Sequence, residues 1–458
     1  VTNDVLTPDL DPARLTALRE RMADLLPALR QDLEALTRIP SVSLAAFDPA
    51  HVEASAQAVA ALLRAEGLSV EIVREGGQPA VIGHLDGPAG APTVMLYAHH
   101  DVQPPGAESE WDSAPFEPTE RDGRVYARGI ADDKAGVLAH VAALRAHAGD
   151  LPVSVTVFVE GEEEIGSDSL AAILEKHGEK LRADVIVLAD SANWAVGEPA
   201  LTTTLRGMVR VVLTVRTLDH GVHSGMFGGV APDAITALVR MIASLHDVQG
   251  NVAVAGLKSG VAADLDYPEA RLREESGLLD GVELIGDGSI LSRMWAKPSI
   301  TTIGIDAPSV ATSSNTLVPQ ASAKISMRIA PDENPHEAYQ LLVDHLQANA
   351  PWGVKVDIAS DDEGSGFSAD ANGPVYDQAR ASFTDAWGVA PVDVGIGGSI
   401  PFVAAFAEKF PDAGILVTGV EEPDTRAHGA NESLHLGEFA RVCLAEAVLL
   451  ERLGLLRL

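Results

Sequence analysis

The sequence predicts an α/β fold in which a layered domain is interrupted by a smaller α+β domain. Strands alternate with helices over the first ~200 residues, the order of a layered α/β domain. After Gly207 the order becomes strand, helix, strand, strand, helix, strand, the signature of a ferredoxin-like unit. A chain of 458 residues also exceeds what one ordinary core organises, so two domains are expected. The joints fall at 206/207 and 372/373. Residues 1–206 and 373–458 form the first domain, and 207–372 form the insert.

Each element has a local reason. Asp11 caps a first helix, Pro12–Leu36, in which Leu15, Leu18, Met22, Leu25, Leu26, Leu29 and Leu33 recur at helical spacing and Pro27 marks a kink site. A second helix, Val52–Glu66, stops at Gly67. Strands follow at Ser69–Val73, Ala80–His84 and Thr93–Tyr97. Pro104–Asp122 is a long loop returning through Val125-Tyr126. Helix Lys134–His147 leads into the apolar strand Val153–Val159, then helix Ser169–His177 and strand Val185–Leu188. The insert reads as strand Val209–Val215, helix Pro232–Leu245, an irregular insertion over 250–297, strands Ile300–Ile305 and Ala321–Ile329, helix Pro335–Ala350 and strand Val354–Ile358. The first domain resumes with helix Val375–Trp387, strand Val392–Val394, helix Ile400–Lys409, strand Gly414–Val417 and helix Gly437–Leu453.

Charge narrows the function. Against 33 Lys and Arg stand 66 Asp and Glu, a formal net charge of −33. That excess argues against nucleic acid or an anionic membrane as partner. The single Cys443 lies in an apolar helical run and reads as packing. It excludes a disulfide within the chain, which is compatible with a reducing compartment. Val1-Thr2-Asn3-Asp4 has no basic or apolar leader character, and no apolar run reaches the ~18 residues of a membrane span. Cytoplasmic is the expected location.

The chemistry gathers at strand ends. Ala98-His99-His100-Asp101-Val102-Gln103-Pro104 leaves the apolar run Val94–Tyr97. His99 and Asp101, two apart, share a face on extended chain. This suits a histidine metal ligand with a carboxylate that is either a second ligand or the partner fixing its tautomer. Arg128-Gly129-Ile130-Ala131-Asp132-Asp133-Lys134-Ala135-Gly136 places Asp132 just ahead of a helix, where a carboxylate can bridge two cations. Glu160-Gly161-Glu162-Glu163-Glu164-Ile165-Gly166-Ser167 follows the next strand, Asp190 ends another, and His428 sits in a polar loop beyond Gly414–Val417. Each alone also reads as ordinary: a hairpin histidine, a capping aspartate, a solvated acidic loop. Together, two histidines and three carboxylates suit two divalent cations such as zinc or manganese. Two such ions about 3.5–4 Å apart activate a water and polarise a carbonyl. A spare glutamate beside a ligand glutamate supplies the base.

These stretches resemble the co-catalytic metallopeptidase family of carnosinase-type dipeptidases, aminoacylases, carboxypeptidase G and succinyl-diaminopimelate desuccinylase. The family pattern His-x-Asp-Val-x-Pro is His99 to Pro104, Gly-x-x-Asp-x-Lys-x-Gly is Gly129 to Gly136, and Glu-Glu-x-Gly-Ser is Glu163 to Ser167. The resemblance runs through essentially the whole chain. It implies a zinc-exopeptidase-like catalytic domain, with a mixed sheet between helices, and a ferredoxin-like lid and dimerisation domain. By position, His99 and Asp190 would bind one cation, Glu164 and His428 the other, and Asp132 would bridge them. Glu163 would be the general base and Asp101 would orient His99. The register is fixed by Gly166-Ser167; one residue earlier, the roles would fall to Glu162 and Glu163. Asp219 to Gly229 resembles a lid loop whose histidine, here His223, would reach the active site of the neighbouring subunit of a homodimer. It also reads as a flexible loop without catalytic duty. Arg328 and Asn315 resemble lid residues that hold a substrate carboxylate or the oxyanion. Gly397-Gly398-Ser399-Ile400-Pro401 resembles the substrate loop, with Gly398 and Ser399 as contacts. Asn431 and Glu432 read equally as pocket or surface residues.

Within this resemblance, where shorter lids go with the exopeptidases and deacylases, the long insertion over 250–297 implies the dipeptidase branch, with a small peptide as substrate. An N-acyl-amino-acid deacylase or a carboxypeptidase shares the metal chemistry and differs only in the pocket. A metal-containing peptide-binding protein without turnover is the alternative from another class, and the presence of Glu163 speaks against it.

Overall fold

The computed structural model describes residues 10–398 and 400–456. The chain opens with α1 (Pro12–Thr37), which starts on Pro12 and is capped by Asp11, whose carboxylate accepts from the Ala13 amide. Leu18, Met22, Leu29, Leu33 and Leu36 form its buried stripe, and the helix continues through Pro27. Then come α2 (Pro49–Ala65), β1 (Ser69–Val73), β2 (Ala80–Leu85) and β3 (Thr93–His99). The long loop returns as a short hairpin, β4 (Thr119–Arg121) and β5 (Arg124–Tyr126). Next are α3 (Lys134–His147), β6 (Ser154–Glu160), α4 (Leu170–His177), β7 (Val185–Leu188) and β8 (Ala200–Leu205).

The middle of the chain supplies β9 (Gly207–Arg216), β10 (Val222–His223), α5 (Ser224–Phe227) and α6 (Ala234–Ala243). The stretch expected to be irregular carries two short helices, α7 (Glu269–Ser276) and α8 (Ile290–Trp295). In α8, Ser289 caps the Ser292 amide, and Leu291 and Trp295 are buried. One turn and a half with two apolar anchors is too short for periodicity to reveal. There follow β11 (Ser299–Asp306), β12 (Thr316–Leu317), β13 (Gln320–Ile329), α9 (Pro335–Ala348), β14 (Lys355–Gly364) and β15 (Phe367–Ser368). The chain ends with α10 (Pro374–Trp387), β16 (Val392–Ile396), α11 (Pro401–Lys409), β17 (Gly414–Val417), β18 (Ser433–His435) and α12 (Leu436–Leu453).

Two compact units result. The first comprises residues up to Thr203, Ala369–Val394 and the chain from Pro401; the second comprises Thr204–Ser368 and Gly395–Ile400. The joints thus lie at 203/204 and 368/369, slightly before those read from the sequence, and Gly395–Ile400, from the end of β16, groups with the second unit.

In the first unit the strands run in the order β1-β2-β6-β3-β7-β17-β8. β6, β3, β7 and β17 are mutually parallel, whereas β2 against β6, β1 against β2 and β8 against β17 are antiparallel, so the sheet is mixed. Its centre is apolar on both faces: Val94 to Tyr97, Val157 to Val159 and Val185 to Leu188 are all buried. α3 is buried nearly all round and packs on α1, α2, α12 and β3. Its small residues Ala135, Gly136, Ala139, Ala142, Ala143 and Ala146 add little bulk where these neighbours pack. Cys443 is buried in α12 within the same core.

The second unit has a four-stranded antiparallel sheet in the order β11-β13-β9-β14. Its first and third strands, β9 and β13, are central, as a βαββαβ unit requires. α6 and α9 cover one face, against Val209, Val211, Leu213, Val215, Ile325 and Met327. Alternate residues of β13, among them Lys324 and Arg328, lie on the other face. No helix among the described residues is long and apolar enough to cross a membrane.

Candidate metal centre

In an open α/β sheet, ligands bind beyond the carboxyl ends of the parallel strands, and the candidate residues lie there. His99 is the last residue of β3, Glu163 and Glu164 follow β6, Asp190 follows β7, and the loop beyond β17 carries His428. Asp132 stands just before α3. The Asp132-Asp133 peptide is cis.

Asp132 is central to the geometry. Its Oδ1 lies 3.0 Å from His99 Nε2 and its Oδ2 lies 3.0 Å from His428 Nε2. Asp190 Oδ1 is 3.9 Å from His99 Nε2, and Glu164 Oε2 is 3.3 Å from His428 Nε2. Two groups result, His99–Asp132–Asp190 and Asp132–Glu164–His428, each with ligand atoms within 4.8 Å of one another. The shared aspartate gives one oxygen to each group.

Of the three adjacent glutamates, Glu164 is the one that reaches His428. Glu162 is buried and occupied elsewhere, its oxygens accepting from the amides of Gln78 and Ser169. Asp101, fully buried, underlies both histidine and glutamates. Its carboxylate lies 3.4 Å from His99 Nδ1 and accepts from the amides of Glu163 (3.2 Å) and Glu164 (3.1 Å). Its backbone oxygen is 3.1 Å from the same imidazole nitrogen. Gln103 donates to Glu164 from its amide (3.1 Å) and its side chain (2.8 Å). Gly166, at φ 98, closes the glutamate turn in the left-handed region, where a glycine fits without strain.

Electrostatics describe a site made for positive charge. With both imidazoles neutral the five groups carry three negative charges. Burial opposes protonation of His99, yet its contacts with Asp101 and Asp132 hold its pKa well above the ordinary value. Asp132 and Glu164 push His428 up to about 11. Burial, with Glu163, Asp132 and Glu164 nearby, raises Asp190 well above the carboxylate range despite His99. Burial and the carboxylates of Glu164 and Asp101 push Glu163 up to about 7, against the pull of His99. Glu421 is a further carboxylate raised by burial and by Asp132 and Asp190. Imidazole nitrogens and carboxylate oxygens without sulfur fit borderline divalent cations, so the residues present suit a two-cation site.

The remaining candidates belong to the second unit. His223 is exposed on β10, opposite Thr316 of β12, and its Nδ1 accepts from the Gly225 amide (3.0 Å). Asn315 lies beside it, its carbonyl accepting from Ser224 (2.9 Å). Arg328 is half-buried on β13, opposite Ser299 of β11 and Met208 of β9. Gly398 stands in the turn after β16, and Ser399 lies outside the described residues. One charged residue escaped the reading from sequence, and a second was left open there. Arg206 is buried and donates to the carbonyls of Gly397 (3.0 Å) and Lys297 (3.2 Å) and to Ser299 Oγ (3.0 Å). Glu432, left open between pocket and surface, is completely buried. A lone charge beside glycine gave the only signal for the first, and adjacence to the His428 loop for the second.

Fold and site together define a metallopeptidase. Residues 95–452 match the model of peptidase family M20/M25/M40, and the chain belongs to that family. It is similar to the cysteinylglycine-S-conjugate dipeptidase of Corynebacterium striatum, 37% identical over 82% of this chain and 84% of that protein. It is 29% identical to the β-Ala-His dipeptidase of Rattus norvegicus, over 78% and 76% of the two chains. The crystal structure of human carnosine dipeptidase 1 shares the fold, with a TM-score of 0.82 at 24% identity over 98% and 100% of the two chains.

Proposed function

We propose that the protein is a dinuclear metal-dependent dipeptidase. The observation that carries this is Asp132, whose two oxygens face two histidine–carboxylate sets. The dipeptidase names of the relatives support the substrate class. His99 and Asp190 would hold one cation, Glu164 and His428 the other, with Asp132 shared; zinc or manganese suits the set. When bound, two such ions supply Lewis acidity and an acidified water. Glu163 takes the proton of the attacking water and returns it to the leaving amine. Asp101 fixes the tautomer of His99 and the backbone of the glutamate turn. In the same proposal Arg328, Asn315, Gly398 and Ser399 receive the substrate's carboxylate or oxyanion, and His223 serves the site of the partner in a homodimer. A cytoplasmic location, with which the lone cysteine is compatible, belongs to this reading too.

The test is hydrolysis by protein loaded separately with zinc and manganese, offered free dipeptides, tripeptides and N-acyl amino acids. Wild type should release amino acids from dipeptides, and Glu163→Gln should lose at least ~100-fold in kcat. Cleavage of N-acyl substrates alone would move the protein to the deacylases. Stoichiometric cation binding without any turnover would refute the enzyme.

A further inference from the structure

We propose that Glu432 and Arg128 are positioning residues of the metal centre: this buried pair sets the place of Asp132 and ties it to the loop carrying His428. The inference rests on the reading of Asp132 as the shared ligand. Glu432 is fully buried, and its carboxylate accepts from four donors. Arg128 Nη1 (2.6 Å) and the Gly129 amide (3.0 Å) reach Oε2; the amides of Ala131 (3.1 Å) and Asp132 (3.2 Å) reach Oε1. The segment before α3 is therefore wrapped around one carboxylate. Arg128, equally buried, donates from Nη2 to the Gly429 carbonyl (2.9 Å), one residue past His428. The Glu432 carbonyl in turn accepts from the Ala127 amide (3.1 Å).

The His428 loop needs such an anchor. Arg426, His428 and Asn431 all adopt positive φ, at 57°, 63° and 61°. Conformations of this kind persist only where surrounding contacts over-determine them. Asn431 supplies a second tie, accepting from the Asp112 amide (2.9 Å) and donating to the Glu110 carbonyl (3.0 Å). The Arg128 guanidinium also lies 5.5 Å from the Trp111 ring centroid.

Stability alone does not account for the pair. A buried ion pair gains little over well-packed apolar residues, because both charges lose their water. Here the charged pair is spent on two segments that bring Asp132 and His428 within 3.0 Å of each other. Glutamine at 432 would keep the shape, but it would turn an NH2 group toward backbone amides and leave Arg128 without its counter-charge.

The experiment measures cation binding directly, by chelator competition with zinc and with manganese, on the full chain. Wild type should bind two cations. Folded Glu432→Gln and Arg128→Met should lose about 10–100-fold in affinity, as changes behind metal ligands commonly do. Arg128→Lys should recover part of the loss. Leu449→Ala, a truncation in the buried core of α12, serves as a destabilised control that should keep wild-type affinity. Two cations held at wild-type affinity by both folded variants would overturn the proposal. So would an equal loss in Leu449→Ala, or failure of Glu432→Gln, Arg128→Met and Arg128→Lys to fold even in excess cation. A wild type that binds two cations without cleaving dipeptides would refute the proposed function and leave this inference standing. A wild type that binds fewer than two refutes both before any variant is made.

Discussion

Removing Asp101 should damage the centre without touching any proposed ligand. The side chain is fully buried and serves three groups: the imidazole of His99 and the amides of Glu163 and Glu164. In Asp101→Ala both amides lose their acceptor. Each buried donor left unsatisfied costs about 1–3 kcal/mol. Glu163 and Glu164 are only partly buried, so water recovers part of this, and a loss of about 2–4 kcal/mol is expected for the cation-free protein. Asp101→Asn keeps one acceptor oxygen but sets an NH2 against the other amide, so it should fall between alanine and wild type. The effect on cations is separate. His99 keeps the Asp101 carbonyl at 3.1 Å but loses the carboxylate that raises its basicity, and affinity should fall about 10–100-fold. Urea unfolding in the presence of chelator reads the first quantity, and chelator competition the second. Asp101→Ala with wild-type stability and wild-type affinity would refute the argument that this carboxylate organises both sides of the site.

Two further outcomes follow from the core. His140 on α3 faces acceptors from both ring nitrogens, Glu446 Oε1 (2.7 Å) and the Tyr97 carbonyl (2.8 Å), an arrangement that favours the imidazolium. Burial opposes this, but the charge and hydrogen bond of Glu446 prevail and the pKa is raised. A raised histidine value contributes stability that is complete below the unfolded value of about 6.5 and is lost as pH rises through the folded value. The urea-midpoint gap between wild type and His140→Gln should therefore be wider at pH 6 than at high pH, and a gap independent of pH would contradict it. Gly419→Ala would place its Cβ 1.7 Å from the Ser191 carbonyl oxygen and 2.3 Å from the Ser191 nitrogen, next to Asp190. Backbone cannot yield as a flexible side chain does. The variant should lose about 3 kcal/mol or more and bind cations more weakly, by the same two assays.

What could be read in advance was what is local. Apolar spacing located the long helices and the buried strands, because burial of one face imposes the period. His99, Asp132 and Glu164 stood out because each follows a strand or opens a helix within a recognisable pattern. Asp190 carried almost no pattern, yet the parallel pairing of β3 with β7 delivers it to 3.9 Å from His99. Three-residue strands escaped notice: β18 pairs with β5 across some three hundred residues of chain, and so short a run has no period of its own. Arg206 escaped, and Glu432 stayed open between pocket and surface, for a related reason. A buried charge is credible only with its partners, and those of Glu432 lie 300 to 304 positions away.

Asp132, common to the two groups of candidate ligands, precedes α3. This helix is buried on nearly every side, so its start is held by dense packing. Burial opposes charge there and raises Asp133 well above the carboxylate range, whereas His428 and His99 hold Asp132 below it. Two carboxylates arrive together, and they are held apart by role. Asp133 accepts from the His99 amide (3.2 Å) and sits against Gly136, where a Cβ would come within 2.1 Å of its Oδ1. Asp132 is left to face both histidines. In the proposed site, two cations sharing one carboxylate would tolerate little drift. The pair Arg128–Glu432 extends the same logic from the helix start to the His428 loop, which has no helix of its own to hold it.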